Sequence, residues 1–286
     1  MKKIFLALFT MLLIVNVTGC KTDSMDDITI YTTTYPIEYI TNELYGNNST
    51  VNSIYPNEVI TLTDKLIKDY SEGSLFVYNG LSNEKDYAVK MLNNNKNLMI
   101  VDATMGMEYE NGVEELWLNP SNFLMLCLNI RNGMKEYITN GVLRKQIDEN
   151  YEKIKLNISE LDAEIKLLVD NADDNKILVS NDALKFLEKY NLNVLSVSNK
   201  NNFTETSLND IKKQITNNKI KYIIMFENDT LSDDIEKILK DNKIEKLYFN
   251  SLITLSKENK TAKKDYIKIM NENLDILKRE LYNTTS

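Results

Sequence analysis

Histidine does not occur anywhere in the sequence, which removes the commonest metal ligand, general base and sensor of neutral pH at one stroke. Any metal-binding or catalytic reading has to work without imidazole. Nor is there a Gly-x-Ser-x-Gly elbow or a phosphate-binding glycine loop, so an enzyme ranks last among the function classes. Glu114 and Glu115 are adjacent in sequence, which does not make them an acid/base pair. Basic charge is also in deficit. A formal net charge of -8 argues against nucleic acid as a partner, because phosphate binding needs a basic surface, and it disfavours adhesion to anionic lipid.

Cysteine is scarce, with only Cys20 and Cys127 present. Cys20 closes a distinctive N-terminus: Lys2 and Lys3, an apolar run over 4–17, then Val17-Thr18-Gly19-Cys20. A charged start, an apolar stretch of signal-peptide length and small residues before a cysteine are what a lipoprotein signal peptidase accepts. Cys20 therefore reads as the lipidated first residue of the mature protein, the alternatives being an ordinary secretory signal or a short N-terminal anchor. Two acyl chains suffice for stable anchoring on a membrane's extracytoplasmic face. Cys127 is then the only remaining thiol, no intramolecular disulfide can form, and the fold rests on its core. Its neighbours Leu124, Leu126 and Leu128 point to burial rather than reactivity.

The 43% hydrophobic content of the 286 residues is enough for one large or two medium globular units. Short runs rich in β-branched and aromatic residues alternate with helical segments, the pattern of parallel α/β units. Strands are expected at 28–33, 51–55, 75–78 and 98–102, and again at 177–180, 194–198, 222–226 and 246–249. This predicts an α/β fold of two lobes, each with a mainly parallel four-stranded sheet flanked by helices. Between them, 141–172 has no proline or internal glycine, and its apolar residues Ile147, Tyr151, Ile154, Ile158, Leu161, Ile165 and Leu168 recur at steps of four and three. That spacing predicts one long rigid amphipathic helix, with a coiled coil as the competing reading. A second packed helix is expected at 263–282. The Asn-rich patches 93–97 and 199–202 read as loops. The chain thus divides into a signal peptide (1–19), a lipidated tether (20–27), an N-terminal lobe (28–141), a linking helix (142–172) and a C-terminal lobe (173–286).

Ligands of open α/β sheets gather at the carboxyl ends of the strands. Those positions carry Asn57 and Glu58, Asn181 and Asp182, Glu227 and Asn250, with Glu115 just before Trp117-Leu118-Asn119-Pro120. All bear side-chain oxygens. Any one of them can equally be a helix cap or turn residue, since Asn and Asp are favoured there; their joint placement suggests a cleft between lobes.

Several motifs resemble those of the zinc and manganese substrate-binding lipoproteins of bacterial ABC transporters, the cluster A-I binding proteins. Thr32-Thr33-Thr34-Tyr35-Pro36-Ile37 is similar to the family's opening strand and turn, and Leu75-Phe76-Val77-Tyr78-Asn79-Gly80 with Glu84 to its third-strand motif. Trp117-Leu118-Asn119-Pro120 is similar to its tryptophan-leucine-aspartate-proline motif. Leu178-Val179-Ser180-Asn181-Asp182-Ala183 with Lys189-Tyr190-Asn191-Leu192 matches the strand and helix of its second lobe. The resemblance covers nearly the whole mature chain and implies a transport component whose partners are a permease and, through its lipid, the membrane.

The departures fall where the family holds its metal. Its first histidine maps to Asn57, or to Glu58 if no gap is allowed. The second maps to Glu115, a third ligand to Asn181 and the final acidic ligand to Asn250; Glu227 matches a glutamate near the site. A tight zinc site is worth about 10–16 kcal/mol, or roughly 3–4 per ligand, and neutral amides in place of imidazole and carboxylate remove most of it. No firm cofactor is implied; what remains suits at most a weakly bound divalent cation of the calcium, magnesium or manganese kind. Rotation of Glu58, Asp182, Glu227 or Asp229 into the cleft would restore a carboxylate-rich site. The expectation is a metal-type solute-binding protein with a degenerate or altered site. The alternative is a surface adhesion or regulatory lipoprotein that keeps the fold and binds no metal.

Overall fold

A computed structural model describes residues 25–198, 203–217 and 220–282. Cys20, the 1–19 segment, most of the 20–27 tether and the 199–202 patch lie outside the described residues.

The N-terminal half opens with β1 (Ile28–Thr32), whose alternate residues Ile28, Ile30 and Thr32 are buried. Helix α1 (Tyr35–Tyr45) follows, started by Pro36, whose missing N–H costs nothing in a first turn. Then come β2 (Ser49–Ser53), α2 (Asp64–Tyr70), β3 (Leu75–Tyr78), α3 (Glu84–Asn94) and β4 (Met99–Asp102). A short helix α4 (Glu115–Leu118) leads into α5 (Pro120–Tyr137), and α6 (Gly141–Asp170) crosses to the second half. There β5 (Lys176–Val179), a 3-10 helix (Asp182–Tyr190), β6 (Asn193–Ser196), α7 (Glu205–Asn217), β7 (Tyr222–Phe226), α8 (Asp233–Asp241), β8 (Glu245–Phe249), α9 (Lys257–Thr261) and α10 (Tyr266–Leu281) complete the described chain.

Among the described residues the strands form two four-stranded sheets of the same topology, β2-β1-β3-β4 and β6-β5-β7-β8, and every pairing is parallel. The central strands are buried on both faces, as Leu75-Phe76-Val77 illustrates, the usual state of a parallel sheet covered by helices. Successive strands leave β1 in one direction and β3 in the other, which puts a topological switch point between β1 and β3 and its counterpart between β5 and β7. Ligands of such sheets bind in the crevice outside those strand ends.

Most strands fall within two residues of their expected bounds. The clearest difference is β2, which ends at Ser53 rather than running to Tyr55. Ile54 N makes the last backbone bond to β1, at Thr32 O, 2.8 Å; Ser53 Oγ then donates to Thr33 O at 2.5 Å and accepts from Tyr55 N at 3.0 Å, so the chain turns off the sheet there with Ile54 and Tyr55 buried. The segment after Asn181 is a 3-10 helix rather than an α-helix.

Helix α6 spans 30 residues, about 45 Å at 1.5 Å per residue. Asn140 caps it, accepting from Val142 N at 2.8 Å. Its seven buried apolar residues, from Leu143 to Val169, contribute roughly 10–20 kcal/mol of gross transfer free energy. It is tied at several levels: Asn150 Nδ2 donates to Leu44 O at 3.1 Å, and Tyr282 Oη to Leu168 O at 2.9 Å. Asp162 accepts from Lys189 and Tyr190. The largest hydrophobic cluster runs unbroken through both halves, from Met25 to Leu281. Phe123 and Tyr266 stack across it with ring centroids 4.1 Å apart. Among the described residues, no helix is long and apolar enough to cross a membrane.

Candidate functional site

The chain that follows β1 and the short helix α4 meet the segment that follows β8. The halves are joined here by backbone-directed bonds. The Trp117 indole N–H donates to Ser251 O at 2.7 Å, the Tyr266 hydroxyl donates to Trp117 O at 2.5 Å, and Tyr35 N donates to Ile253 O at 3.1 Å. Lys189 on the 3-10 helix reaches Asn119 Oδ1 and Ser121 Oγ at the start of α5. Such ties leave little freedom for one half to hinge on the other.

Local bonds engage several of the candidate ligand positions. Asn57 and Glu58 sit in the exposed loop after β2, where Lys260 of α9 donates to the neighbouring Pro56 carbonyl. Glu115 is half-buried at the start of α4, and its Oε2 accepts from Asn111 N at 3.3 Å. Asn181 caps the 3-10 helix, its Oδ1 accepting from Ala183 N at 3.0 Å, while its Nδ2 donates to Asp229 Oδ1 at 3.1 Å. Asn250 Oδ1 accepts from Leu252 N at 2.8 Å, closing a turn that holds Leu252 at φ +59°.

Of the additional acids, the structure brings Asp229 and Asn181 together but turns the carboxylate onto its own lobe. Asp229 Oδ2 accepts from Ser180 Oγ at 2.5 Å and Phe226 N at 3.1 Å. Asp182 pairs with Lys185 at 2.8 Å. Glu227 and Glu58 are exposed. Among the described residues, Asn57, Glu115, Asn181 and Asn250 are not hydrogen-bonded to one another, and no three acidic or cysteine side chains are grouped so as to hold a metal ion. These strand ends carry amides and scattered carboxylates, whereas zinc takes thiolate, imidazole and closely grouped carboxylate.

Sequence reasoning missed three contributors. Asn273 is 1% exposed and reads the backbone of Asn250, accepting from its N at 2.8 Å and donating to its O at 3.0 Å. An amide within the apolar stripe of α10 was the available signal. Ser180 and Lys260 carried none, because each acts on a partner far away in sequence. Beneath the N-terminal strand ends lies Glu84, 6% exposed. Burial pushes its carboxyl up to about 7, against hydrogen bonds from Ser82, Asn79, Thr33 and Tyr55 that lower it. A cavity of about 440 Å³, lined by Tyr39, Glu43, Glu160, Glu164, Asp265 and Lys268 among others, lies away from the strand ends among α1, α6 and α10.

Two parallel α/β lobes bridged by one long helix make up the fold of a two-lobed solute-binding protein. The solved structures agree on the fold. The metal-dependent lipoprotein YcdH from Bacillus subtilis superposes with a TM-score of 0.73 at 21% identity, covering 89% of this chain and 99% of the other. The Zn(II)-bound ZnuA-like domain of Streptococcus pneumoniae AdcA gives 0.70 at 22% identity over 89% and 99%. The laminin-binding protein Lbp of Streptococcus pyogenes gives 0.70 at 17% identity over 90% and 99%. Comparison with curated proteins found no significant sequence match. The chain belongs to the ZnuA family, the periplasmic component A of the zinc-uptake complex, whose model matches residues 30–280.

Proposed function

We propose that the protein is an extracytoplasmic substrate-binding lipoprotein of a metal-type ABC transporter, held on the membrane through lipid on Cys20. In this reading it hands a solute to a permease, is not an enzyme, and has lost the family's tight zinc site. One observation carries the reading: the four positions that map to family ligands hold three neutral amides and a single carboxylate, and Glu115, Asn181 and Asn250 each spend an oxygen on a local turn or cap. Neutral amide oxygens offset little of the cost of stripping water from a divalent ion, and one carboxylate is a poor substitute for a full donor set. Asp229 and Asp182 are held by Ser180, Asn181 and Lys185. Glu58 and Glu227, being exposed, are the acids able to turn inward, and a site built from them would favour manganese or calcium over zinc.

Calorimetry with zinc, manganese and calcium, on the wild type and on Glu115→Gln, tests the site. Weak binding that the substitution does not change supports the reading. Submicromolar zinc binding lost in Glu115→Gln overturns it. For the anchor, radiolabelled fatty acid should be absent from Cys20→Ser, and incorporation into that variant would show the assignment wrong. A second reading, a surface adhesion or regulatory lipoprotein with a silent cleft, is favoured by the likeness to a laminin-binding protein. Immobilised laminin binding in the presence of a chelator would separate it from transport.

A further inference from the structure

The loop between β2 and α2 carries Asn57 and Glu58, and residues 56–61 of it are exposed. Apolar burial therefore fixes it only at its two ends, through Ile54 and Tyr55 on one side and Leu62 on the other. Both ends meet the first turn of α3. At the leading end the Tyr55 hydroxyl is bonded to the Glu84 carboxyl, which also accepts from Asn79 N at 3.2 Å. At the trailing end Leu62 N donates to the Tyr87 hydroxyl oxygen at 3.1 Å. Glu84 and Tyr87 stand three positions apart, neighbours on one helical face, so a single turn of α3 grips the loop at both ends.

We propose that Glu84 is a positioning residue for the loop that carries Asn57 and Glu58: its carboxylate holds Tyr55 while Tyr87 holds Leu62, and protonating Glu84 loosens the leading end. The bearing on ligand binding rests on the cleft reading above, whereas the order of the loop is measurable with no ligand at all. The titratable groups facing Glu84 are Tyr55 on the loop and, acting on Tyr55, Tyr87 of α3 itself. From β4, Asp102 is turned onto the amides of Gly80 and Thr104, and Ser82 and Thr33 contribute hydroxyls. Because burial raises this carboxyl to about 7, the change falls near neutral pH. On protonation the carboxylate takes a proton from solvent, Tyr55 keeps its own, and a charge-assisted hydrogen bond becomes a neutral one of about half the strength.

Amide hydrogen exchange on the full chain at pH 6 and pH 8, normalised to intrinsic rates, tests the proposal. In the wild type, protection at the leading end, taken relative to that of β3 so that the fall of global stability with pH cancels, should be roughly threefold to tenfold greater at pH 8, the effect of halving one charge-assisted bond. Glu84→Gln, which keeps shape and an acceptor, should give an intermediate protection that is the same at both pH values. Tyr55→Phe removes only the hydroxyl. It should loosen the leading end at pH 8 and leave the Leu62 amide unchanged, and Tyr87→Phe should do the converse. Unchanged protection in Tyr55→Phe, a pH dependence that survives in Glu84→Gln, or a loss spread evenly over the N-terminal lobe would each overturn it. Titrating zinc, manganese or calcium in parallel keeps the two readings apart: a cleft indifferent to metal leaves these exchange results standing.

Discussion

Replacing Asn273 by leucine probes the turn that carries the last candidate ligand position. The buried amide of Asn273 makes two bonds to the backbone of Asn250, at 2.8 and 3.0 Å. Leucine has nearly the same shape but offers neither donor nor acceptor, so a backbone N–H and a C=O lose their partners together. Each such loss costs about 1–3 kcal/mol when the group is cut off from water. Asn250 is half-buried and leucine gains some apolar transfer, which places the expected total near the lower end, about 2–3 kcal/mol. For a protein of this size that is a fall in melting temperature of about 4–12 °C. The turn also supplies Ser251 O to Trp117 and Ile253 O to Tyr35, so the damage should reach the junction between the lobes. Trp117 is the only tryptophan and reports on that junction directly. Calorimetry should show the lower melting temperature, and native-state emission should shift to the red. A loss under about 0.5 kcal/mol with unchanged emission would refute the assignment of Asn273 as the support of the turn.

Three further outcomes are expected. Proline at Ile158, a fully buried position in the middle of α6, should cost roughly 3 kcal/mol or more by removing a helix hydrogen bond and a core side chain, read as a urea midpoint. Glu84 and Glu280 are both raised by burial from 4.5 to about 7. The stability linked to each is therefore complete below about 4.5 and is lost as pH rises through 7, on the order of 2 kcal/mol apiece. Urea melts of the wild type should fall from pH 5 to pH 8 by more than those of Glu84→Gln/Glu280→Gln, and equal slopes would remove the attribution. Lastly, Asn57→His, Glu115→His, Asn181→His and Asn250→Asp combined should bring zinc affinity into the submicromolar range, about 8 kcal/mol or better; no gain in a folded variant would overturn the residue mapping.

The fold was legible because burial imposes a period on the sequence. The steps of four and three from Ile147 to Leu168 mark α6, and the continuous apolar run at 75–77 marks a strand covered on both faces. Pattern carries less information where the chain leaves a sheet. Ile54 and Tyr55 look like strand residues and are buried like strand residues, yet Ser53 diverts them with two hydrogen bonds. A one-residue event of that kind leaves composition and periodicity untouched. The 3-10 geometry of Asp182–Tyr190 is hidden in the same way, since its buried residues Ala183, Leu184, Phe186, Leu187 and Tyr190 fit an α-helical stripe equally well.

The strand ends were legible in the sequence, and the hydrogen bonds made there were not. Strand ends can be read from the sequence, and they led to Asn181, Asn250 and the loop of Asn57. What each side chain does there depends on partners far away in the chain: Asp229 stands 48 residues from Asn181 and Asn273 stands 23 from Asn250. The same property that makes asparagine a weak metal ligand makes it a good cap, because its amide is neutral and presents a donor and an acceptor together. A carboxylate at Asn181 would meet the Asp229 carboxylate at 3.1 Å, where an amide N–H now donates; two like charges so close would raise the pKa of one of them. The Asn181 and Asp229 pair is thus self-consistent only without a second negative charge. A return to acidic ligands at this strand end would require changing both residues, whereas a histidine at position 181 still offers a ring N–H to the Asp229 carboxylate.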